Sequence, residues 1–116
     1  MKKYIRTKDG IYEVDPLSIY YIGETHFSCQ DVKHTRIFNE WHILKQADTI
    51  EELCDLFVVE YQTKKKKIFT SYDEAHWEYI QLPVDMGGFS LYCAIWTEKG
   101  LIYVAKMNPK WEFELL

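Results

Sequence analysis

Three histidines and one cysteine fall close together in the first half of the chain, at His26, Cys29, His34 and His42, with Asp31 among them. Imidazole and thiolate groups are ligands that zinc accepts, so this set is a weak candidate for a tetrahedral metal site. Its spacing matches no established zinc module, and only one thiolate is present. The alternative, which the spacing favours, is a set of scattered surface or half-buried side chains.

The same residues suggest a thiol nucleophile, in which Cys29 would take its base from His26 or His34. Catalysis would also require hydrogen-bond reach between the two groups and an oxyanion hole, neither of which spacing establishes. Acidic pairs such as Glu51-Glu52 lie in predicted first helical turns, where they complement the helix dipole without an acid–base role. We therefore predict no catalytic residue, no cofactor and no enzymatic activity.

A run of four lysines with aromatic neighbours is the second candidate. Single-stranded nucleic acids bind to such platforms, because cations follow the phosphates and rings stack on the bases. The alternative, which we favour, is a solvated loop whose lysines keep a strand edge from pairing with other chains. The formal net charge of −4 also argues against nucleic acid as the partner. The nucleic-acid candidates are Lys64, Lys65, Lys66 and Lys67, between Tyr61 and Phe69.

Aromatic residues make up 16% of the chain, more than a small core easily buries. Trp77 lies off the apolar stripe of a predicted helix, and Trp96 and Trp111 lie on predicted strands. Exposed aromatic residues commonly anchor protein–protein contacts, so these three are the protein-binding candidates, with self-association included. Packing of the same rings in a second small core is an equal alternative.

The length of 116 residues predicts a single domain over residues 1–116. The odd number of cysteines, Cys29, Cys54 and Cys93, argues against a disulfide framework and for a reducing compartment such as the cytoplasm. Cys54 and Cys93 fall on apolar faces and are expected in the core. No apolar run approaches the roughly 20 residues that cross a membrane, and the first residues indicate a strand rather than a signal peptide. No membrane partner is expected.

Hydrophobic patterning predicts hairpins at both ends of the chain. Residues 4–7 and 11–14 are the arms of the first, with a turn at Lys8-Asp9 and a left-handed Gly10 that makes a bulge. Residues 95–104 share its pattern, Ile-x-Thr-x-x-Gly-(Ile/Leu)-x-x-Val, either through duplication or because two hairpins obey the same turn rules. Strands at 89–96, 101–107 and 111–115 predict a C-terminal meander.

Two capping boxes predict short helices. The box at Thr49–Glu52 begins a short helix in the segment 49–58, which is the expected cover of the sheet and which runs into a strand where residues 57–61 become β-branched. The box at Ser71–Glu74 begins another helix that ends before Pro83. Residues 62–67 indicate a solvated turn, and residues 17–43 indicate short strands near 19–22 and 37–44. The predicted fold is α+β, an antiparallel sheet of hairpins and a C-terminal three-stranded meander covered by one or two short helices.

Three segments carry a resemblance to known proteins: YIRTKDGIYEV at 4–14, KQADTIEELCD at 45–55 and AIWTEKGLIYVAKMN at 94–108. They resemble small uncharacterised proteins of phages and prophages of low-GC Gram-positive bacteria. The segments cover about a third of the chain. The resemblance implies a phage or mobile-element origin and a bacterial host cytoplasm, and it carries no activity and no functional residue.

These observations lead to one preferred function and two alternatives. The preferred one is a non-enzymatic phage- or prophage-encoded accessory protein that binds a host or phage protein, because no catalytic constellation is recognisable and aromatic residues are in surplus. The first alternative is a nucleic-acid-binding module that uses lysines 64–67. The second is a small metal-binding protein that uses residues 26–42.

Overall fold

The structure is a computed structural model, and it describes residues 3–14, 20–22, 26–30, 37–39 and 42–116. The chain divides into two compact units, Met1–Leu53 and Cys54–Leu116. Each strand pairing in the described residues is antiparallel, and one α-helix lies among them. The predicted α+β fold is confirmed.

Strands β1 (Lys3–Arg6) and β2 (Ile11–Val14) form the predicted N-terminal hairpin. The Asp9 amide donates to the Thr7 hydroxyl (3.2 Å), and the Thr7 amide donates to the Gly10 carbonyl (2.9 Å). The prediction of a left-handed Gly10 with a bulge is wrong, since its φ is not positive and the register is continuous up to the turn. The backbone bond between Thr7 and Gly10 closes the turn with Gly10 outside the left-handed region.

The middle of the first unit contains a second antiparallel sheet of β3 (Tyr20–Ile22), β4 (His26–Gln30) and β5 (Ile37–Asn39), with β4 in the centre. The strands predicted near 19–22 and 37–44 correspond to β3 and β5, although residues 19, 40 and 41 lie outside the described residues. The prediction missed β4. Its polar–apolar alternation, His-Phe-Ser-Cys-Gln, is the period-2 signal that indicates a strand.

Strand β6 (Lys45–Ala47) pairs with the edge of β1 that β2 leaves free, which gives the sheet order β2-β1-β6. Ile5 and Val14 are fully buried in this unit, and Tyr12 and Ile43 pack against them. Ile5, Tyr12 and Val14 therefore share one face of the hairpin, while the buried Tyr4 and Ile11 lie on the other.

The helix predicted over residues 49–58 is wrong. The chain makes a 3₁₀ turn at Glu51–Leu53 and continues as strand β7 (Leu56–Glu60). Within the described part of the chain, the buried Thr49 hydroxyl has no hydrogen-bond partner, so it does not cap a helix. Burial of consecutive side chains explains the difference, because a central strand covers both of its faces whereas an amphipathic helix exposes one. The consecutive buried residues of β7 are Phe57, Val58 and Val59.

Strand β8 (Lys66–Phe69) leads into helix α1 (Tyr72–Ile80), which covers the sheet in place of the predicted 49–58 helix. The Tyr72 ring packs on Phe57 and Phe113, with centroid distances of 5.6 and 5.8 Å. Ser71 is the N-cap residue, as the predicted capping box requires, but its side chain makes no capping hydrogen bond. The box therefore marks the start of the helix without forming the hydrogen bond of Ser71. Among the described residues no helix is long and apolar enough to cross a membrane.

The second unit is built on a five-stranded sheet that adds β9 (Ser90–Thr97), β10 (Gly100–Met107) and β11 (Phe113–Leu115). Its order is β11-β10-β9-β7-β8, so β9, β10 and β11 form the predicted meander and β9 is the central strand. Cys93 is fully buried in β9 as predicted, whereas Cys54 is only half-buried at the start of the unit. The hydrophobic core of this unit therefore lies on β7 and β9.

The β9–β10 turn repeats the chemistry of the first hairpin. The Lys99 amide donates to the Thr97 hydroxyl (3.2 Å), which itself donates to the Gly100 carbonyl (2.9 Å). The Thr7 hydroxyl approaches the Gly10 carbonyl in the same way, at 3.5 Å. The pattern that the two segments share thus corresponds to the same threonine hydrogen bonds, although φ is 101° at Gly100 and is not positive at Gly10. Common turn rules and duplication stay the two alternative explanations of their similarity.

Candidate functional site

Trp111 has a backbone conformation that a residue with a bulky side chain rarely adopts, with φ at 64°. The prediction of Trp111 on a strand over 111–115 is wrong, because β11 begins only at Phe113. Trp111 lies in the turn between β10 and β11, residues 108–112, which we call the tryptophan turn. The Trp111 amide donates to the Asn108 carbonyl (3.0 Å), and the Asn108 amide donates to the Glu112 carbonyl (2.8 Å). The backbone of the turn is therefore hydrogen-bonded across its base.

The Asn108 side chain reinforces this turn from within. Its Oδ1 accepts hydrogen bonds from the amides of Lys110 (2.9 Å) and Glu112 (3.0 Å), and its Nδ2 donates to Glu114 Oε1 (2.9 Å). A left-handed conformation of a residue with a Cβ costs about 1–2 kcal/mol, and such strain persists only where the surroundings over-determine it. The hydrogen bonds of Asn108 provide that constraint.

The indole ring of Trp111 lies against helix α1. It contacts the His76 ring at a centroid distance of 6.1 Å and an interplanar angle of 83°, and the Tyr79 ring at 5.7 Å and 71°. These edge-to-face arrangements are the favourable ones for aromatic pairs. The ring nevertheless remains 46% exposed, so the tryptophan is fixed in position and still available for contact.

Beside the Trp111 ring there is a mostly apolar cavity of about 450 Å³, which we call the tryptophan cleft. Concave apolar sites with a few polar groups are the usual form of a binding pocket. Its polar lining comes from Lys106 and Asn108. The apolar lining comes from Tyr79, Val84, Phe89, Met107, Pro109 and Trp111.

The four predicted lysines do not all lie in a loop. Lys64 and Lys65 belong to the β7–β8 turn, where the Lys64 amide donates to the Tyr61 carbonyl (2.8 Å) and the Tyr61 amide donates to the Lys65 carbonyl (2.8 Å). Lys66 and Lys67 begin β8, which is an outer strand of its sheet. The prediction of a solvated turn over 62–67 is therefore correct only for its first part, while the expected placement of lysines on a strand edge is found.

A second cavity, of about 580 Å³, lies beside these residues, and we call it the lysine cavity. Lys65, Lys66 and Lys67 line it together with Tyr61, and Phe89 belongs to its wall as well as to that of the tryptophan cleft. In the part of the chain that the structure describes, no carboxylate lines either cavity. The two cavities are therefore neighbours that share one aromatic side chain.

The charges of the four lysines are not equally free. Glu60 lies 3.9 Å from the Lys64 ammonium and 4.0 Å from that of Lys66. Over residues 42–116 and the other described segments, Lys65 and Lys67 have no carboxylate within salt-bridge distance. The positive charge at the lysine cavity that is not neutralised by Glu60 therefore belongs to Lys65 and Lys67, of which Lys67 has its ammonium 5.3 Å from the centroid of the Phe69 ring.

Lys66 is further occupied by an aromatic column on the sheet. Its ammonium lies 5.4 Å from the centroid of Tyr103, whose ring stacks on that of Tyr92 at 4.9 Å and 20°. The Lys106 ammonium lies 5.8 Å from the Tyr92 centroid. Each ring thus has a cation nearby and stacks on the other tyrosine, an arrangement that stabilises the sheet surface.

Tyr61 connects the end of β7 to helix α1 and borders the lysine cavity. Its hydroxyl donates to Glu78 Oε1 at 2.7 Å. Burial, followed by the hydrogen bond and the negative charge of Glu78, raises the pKa of Tyr61 to about 12. Burial also raises the pKa of Tyr79. Both phenols therefore remain neutral at ordinary pH, and neither is poised to act as a base.

The structure does not bring the three predicted tryptophans into one surface. Trp77 is 66% exposed on α1, in the interior of the helix sequence but outside its buried face. Trp96 is 58% exposed and pairs with Leu101 near the β9–β10 turn, whereas Trp111 follows the other end of β10. Six residues of extended strand separate Leu101 from Met107, which corresponds to about 20 Å. Trp111 lines the first of the two cavities described above, and Trp77 and Trp96 line neither of these two.

The metal candidates stay a prediction. His26 and Cys29 belong to β4, His42 is exposed, and His34 lies outside the described residues. Among the described residues, no group of three or more histidine, cysteine or acidic side chains has the arrangement of a metal site.

Sequence reasoning missed Phe89, Tyr79 and Met107 as members of a site. Phe89 was predicted only as the start of a strand, and the other two only as apolar positions of regular elements. The available signal was Asn108-Pro109, which predicts the turn that carries Trp111. No family model, curated protein or solved structure matches this chain. The functional argument therefore rests on the geometry of the two cavities.

Proposed function

We propose that this chain is a non-enzymatic binding protein that recognises another protein by accepting an apolar side chain in the tryptophan cleft. The observation that carries the proposal is the exposed Trp111, held with a φ of 64° beside an apolar cavity of about 450 Å³. Strained backbone is concentrated at ligand clamps and other functional positions. A turn that only connected two strands would not require a tryptophan at its left-handed position.

The chemistry of the cleft suits a protein partner. Tryptophan and tyrosine are enriched among the residues that dominate binding energy at protein interfaces, and they act from desolvated pockets. An aromatic side chain of the partner would bury about 150 Å², which contributes about 4 kcal/mol before the entropy cost of association. Because Trp111 is already fixed against His76 and Tyr79, little of this gain is lost in ordering the ring.

The proposed setting follows from the resemblance to phage and prophage proteins. In this proposal the chain is a phage- or prophage-encoded accessory protein that acts in the cytoplasm of a low-GC Gram-positive host, where its partner is a host or phage protein. Recognition of nucleic acid by lysines 64–67 is the competing possibility, and the experiment below separates the two.

Affinity capture with matched variants tests the proposal. The tagged full chain, its Trp111→Gly variant and its Trp96→Ala variant are incubated with host lysate, with and without nuclease treatment, and the retained proteins are identified by mass spectrometry. We expect one protein to be enriched by the wild type and by Trp96→Ala, which changes an exposed ring away from the cleft, and to be absent with Trp111→Gly. Equal enrichment by Trp111→Gly would contradict the proposal, and enrichment that disappears only after nuclease would favour the nucleic-acid alternative.

A further inference from the structure

The lysine cavity and the tryptophan cleft differ in chemistry although they share Phe89. One presents positive charge, and the other presents aromatic and aliphatic surface with Lys106 as its charged member. A ligand that extends along Phe89 from the tryptophan cleft into the lysine cavity would therefore contact apolar side chains first and lysine ammonium groups next. Its chemistry must match both parts.

Backbone geometry singles out the same two places. In the described part of the chain, two residues other than glycine have a positive φ: Lys64 at 70° and Trp111 at 64°. Lys64 lies in the turn that places Lys65 at the lysine cavity, and Trp111 forms a wall of the tryptophan cleft. Both cavities thus have a strained turn at their border, which is the distribution expected for a single recognition surface.

The distribution of charge identifies the part of the ligand that faces the lysines. Glu60 partly neutralises Lys64 and Lys66, and within the described residues no carboxylate pairs with Lys65 or Lys67. The chain as a whole has a formal net charge of −4, so these two lysines form a local positive site on an acidic protein. Complementary charge at the rim of an interface increases the association rate and excludes partners of the wrong sign.

We infer that the partner presents an acidic segment of extended peptide, in which an apolar side chain enters the tryptophan cleft and neighbouring carboxylates contact Lys65 and Lys67. The inference rests on the proposed protein-binding function and adds the chemical class of the partner. A nucleic acid fits less well, because its affinity comes from neutralising many phosphates along a cationic track, commonly about 6–10 of them. Two lysines that have no carboxylate partner in the described segments, beside an apolar cleft, are suited to a short segment with few charges.

The test uses a displayed library of random peptides about 12 residues long, selected on the full chain and on three variants. Lys65→Glu/Lys67→Glu reverses the charge at the lysine cavity, and Lys8→Glu/Lys99→Glu makes the same change of net charge at two exposed hairpin turns. Trp111→Gly removes the ring that borders the cleft. Thermal unfolding of each variant establishes that it is folded before selection.

We expect the wild type to enrich peptides with an aromatic or large aliphatic residue near two or more Asp or Glu residues. Synthetic peptides of this kind should bind about tenfold more weakly to Lys65→Glu/Lys67→Glu, be unaffected by Lys8→Glu/Lys99→Glu, and lose binding with Trp111→Gly. Enriched peptides that lack an acidic bias and bind both lysine variants equally would overturn the inference and leave the proposed function in place. If the wild type enriches no peptide beyond those that Trp111→Gly enriches, the inference and the proposed function are both overturned. Lysine-dependent binding of a dT20 oligonucleotide that no selected peptide displaces would also overturn both.

Discussion

Replacing Trp111 with glycine and with alanine separates the strain of the tryptophan turn from the contacts of the indole ring. Both substitutions remove the contacts to His76 and Tyr79, so the difference between them reports mainly on the backbone at position 111. Trp77 is the matched control, because it is an exposed tryptophan in the same unit but in the interior of helix α1. The same pair of substitutions at Trp77 reports on an ordinary helical backbone.

The expected order of stability is opposite at the two positions. At position 111, alanine has a Cβ in the left-handed region, which costs about 1–2 kcal/mol, while the greater freedom of glycine in the unfolded chain costs about 0.4–1 kcal/mol. Glycine should therefore be the more stable variant by about 1 kcal/mol. At position 77, glycine should be less stable than alanine by about 0.8–1.0 kcal/mol, the usual difference in a helix interior. The two differences together amount to about 2 kcal/mol.

Urea unfolding at pH 7, followed by far-ultraviolet circular dichroism, measures the four variants. Both positions lie in the unit of residues 54–116, so the variants are compared on the same transition. Equal denaturant slopes within each pair would indicate that the midpoints report stability alone. If the alanine variant proves more stable than the glycine variant at position 111, as at position 77, the backbone of Trp111 is not strained in solution. The main support for the tryptophan cleft as a binding site is then removed.

Two further predictions concern other parts of the fold. Because the pKa of folded Tyr61 is raised to about 12, its contribution to stability is complete below pH about 10 and is lost as the pH rises toward 12. The free energy of unfolding should therefore decrease over that interval, and it should decrease less in Tyr61→Phe. An equal slope in both proteins would show that the hydrogen bond to Glu78 has no such effect. Gly100→Ala should destabilise the protein by about 1 kcal/mol or more, since φ is 101° there. Gly10→Ala should be neutral or stabilising by about 0.4–1 kcal/mol, because φ is not positive at Gly10 and the new Cβ would lie 3.7 Å from the nearest atom of the Tyr12 side chain. Thermal unfolding of both glycine variants measures this difference, and an equal loss of stability would refute it.

The N-terminal hairpin, the C-terminal meander and the second helix were predictable because their signals are local. Thr7 and Thr97 each precede a glycine by three residues, and both turns form with the same hydroxyl hydrogen bonds. The alternation of β11 and the continuous apolar run of β9 likewise reflect which faces are buried. Where the pattern of neighbouring residues alone determines the structure, the expectation and the structure agree.

The two capping boxes show where local signals are insufficient. Both Thr49 and Ser71 precede acidic first turns, yet only the second is followed by a full helix. After Thr49 the chain reaches Val58 and Val59, which are buried between β8 and β9, and pairing on both sides of β7 outweighs the helix signal. That competition is decided by strands that are distant in sequence, so the capping box could not reveal it.

The candidate site was hidden for the same reason. Tyr79, Phe89, Met107 and Trp111 come from a helix, a connecting segment, a strand and a turn, and no spacing rule relates them. The left-handed conformation of Trp111 was also unpredictable, because residue preference opposes it and the hydrogen bonds of Asn108 impose it. Sequence reasoning could identify an exposed tryptophan, but only the folded chain places it beside a cavity.

The position of Lys67 on the outer strand β8 limits how this surface can change during evolution. A charged side chain on a sheet edge discourages the strands of other chains from adding to it, so Lys67 opposes aggregation through this edge as well as contributing to the lysine cavity. A variant that lost the charge in order to accept a neutral partner would also gain a tendency to aggregate. Exchange for arginine, or a shift of the charge to a neighbouring position on β8, keeps the edge protected, and we expect diversification of partner choice to proceed through the lining of the tryptophan cleft.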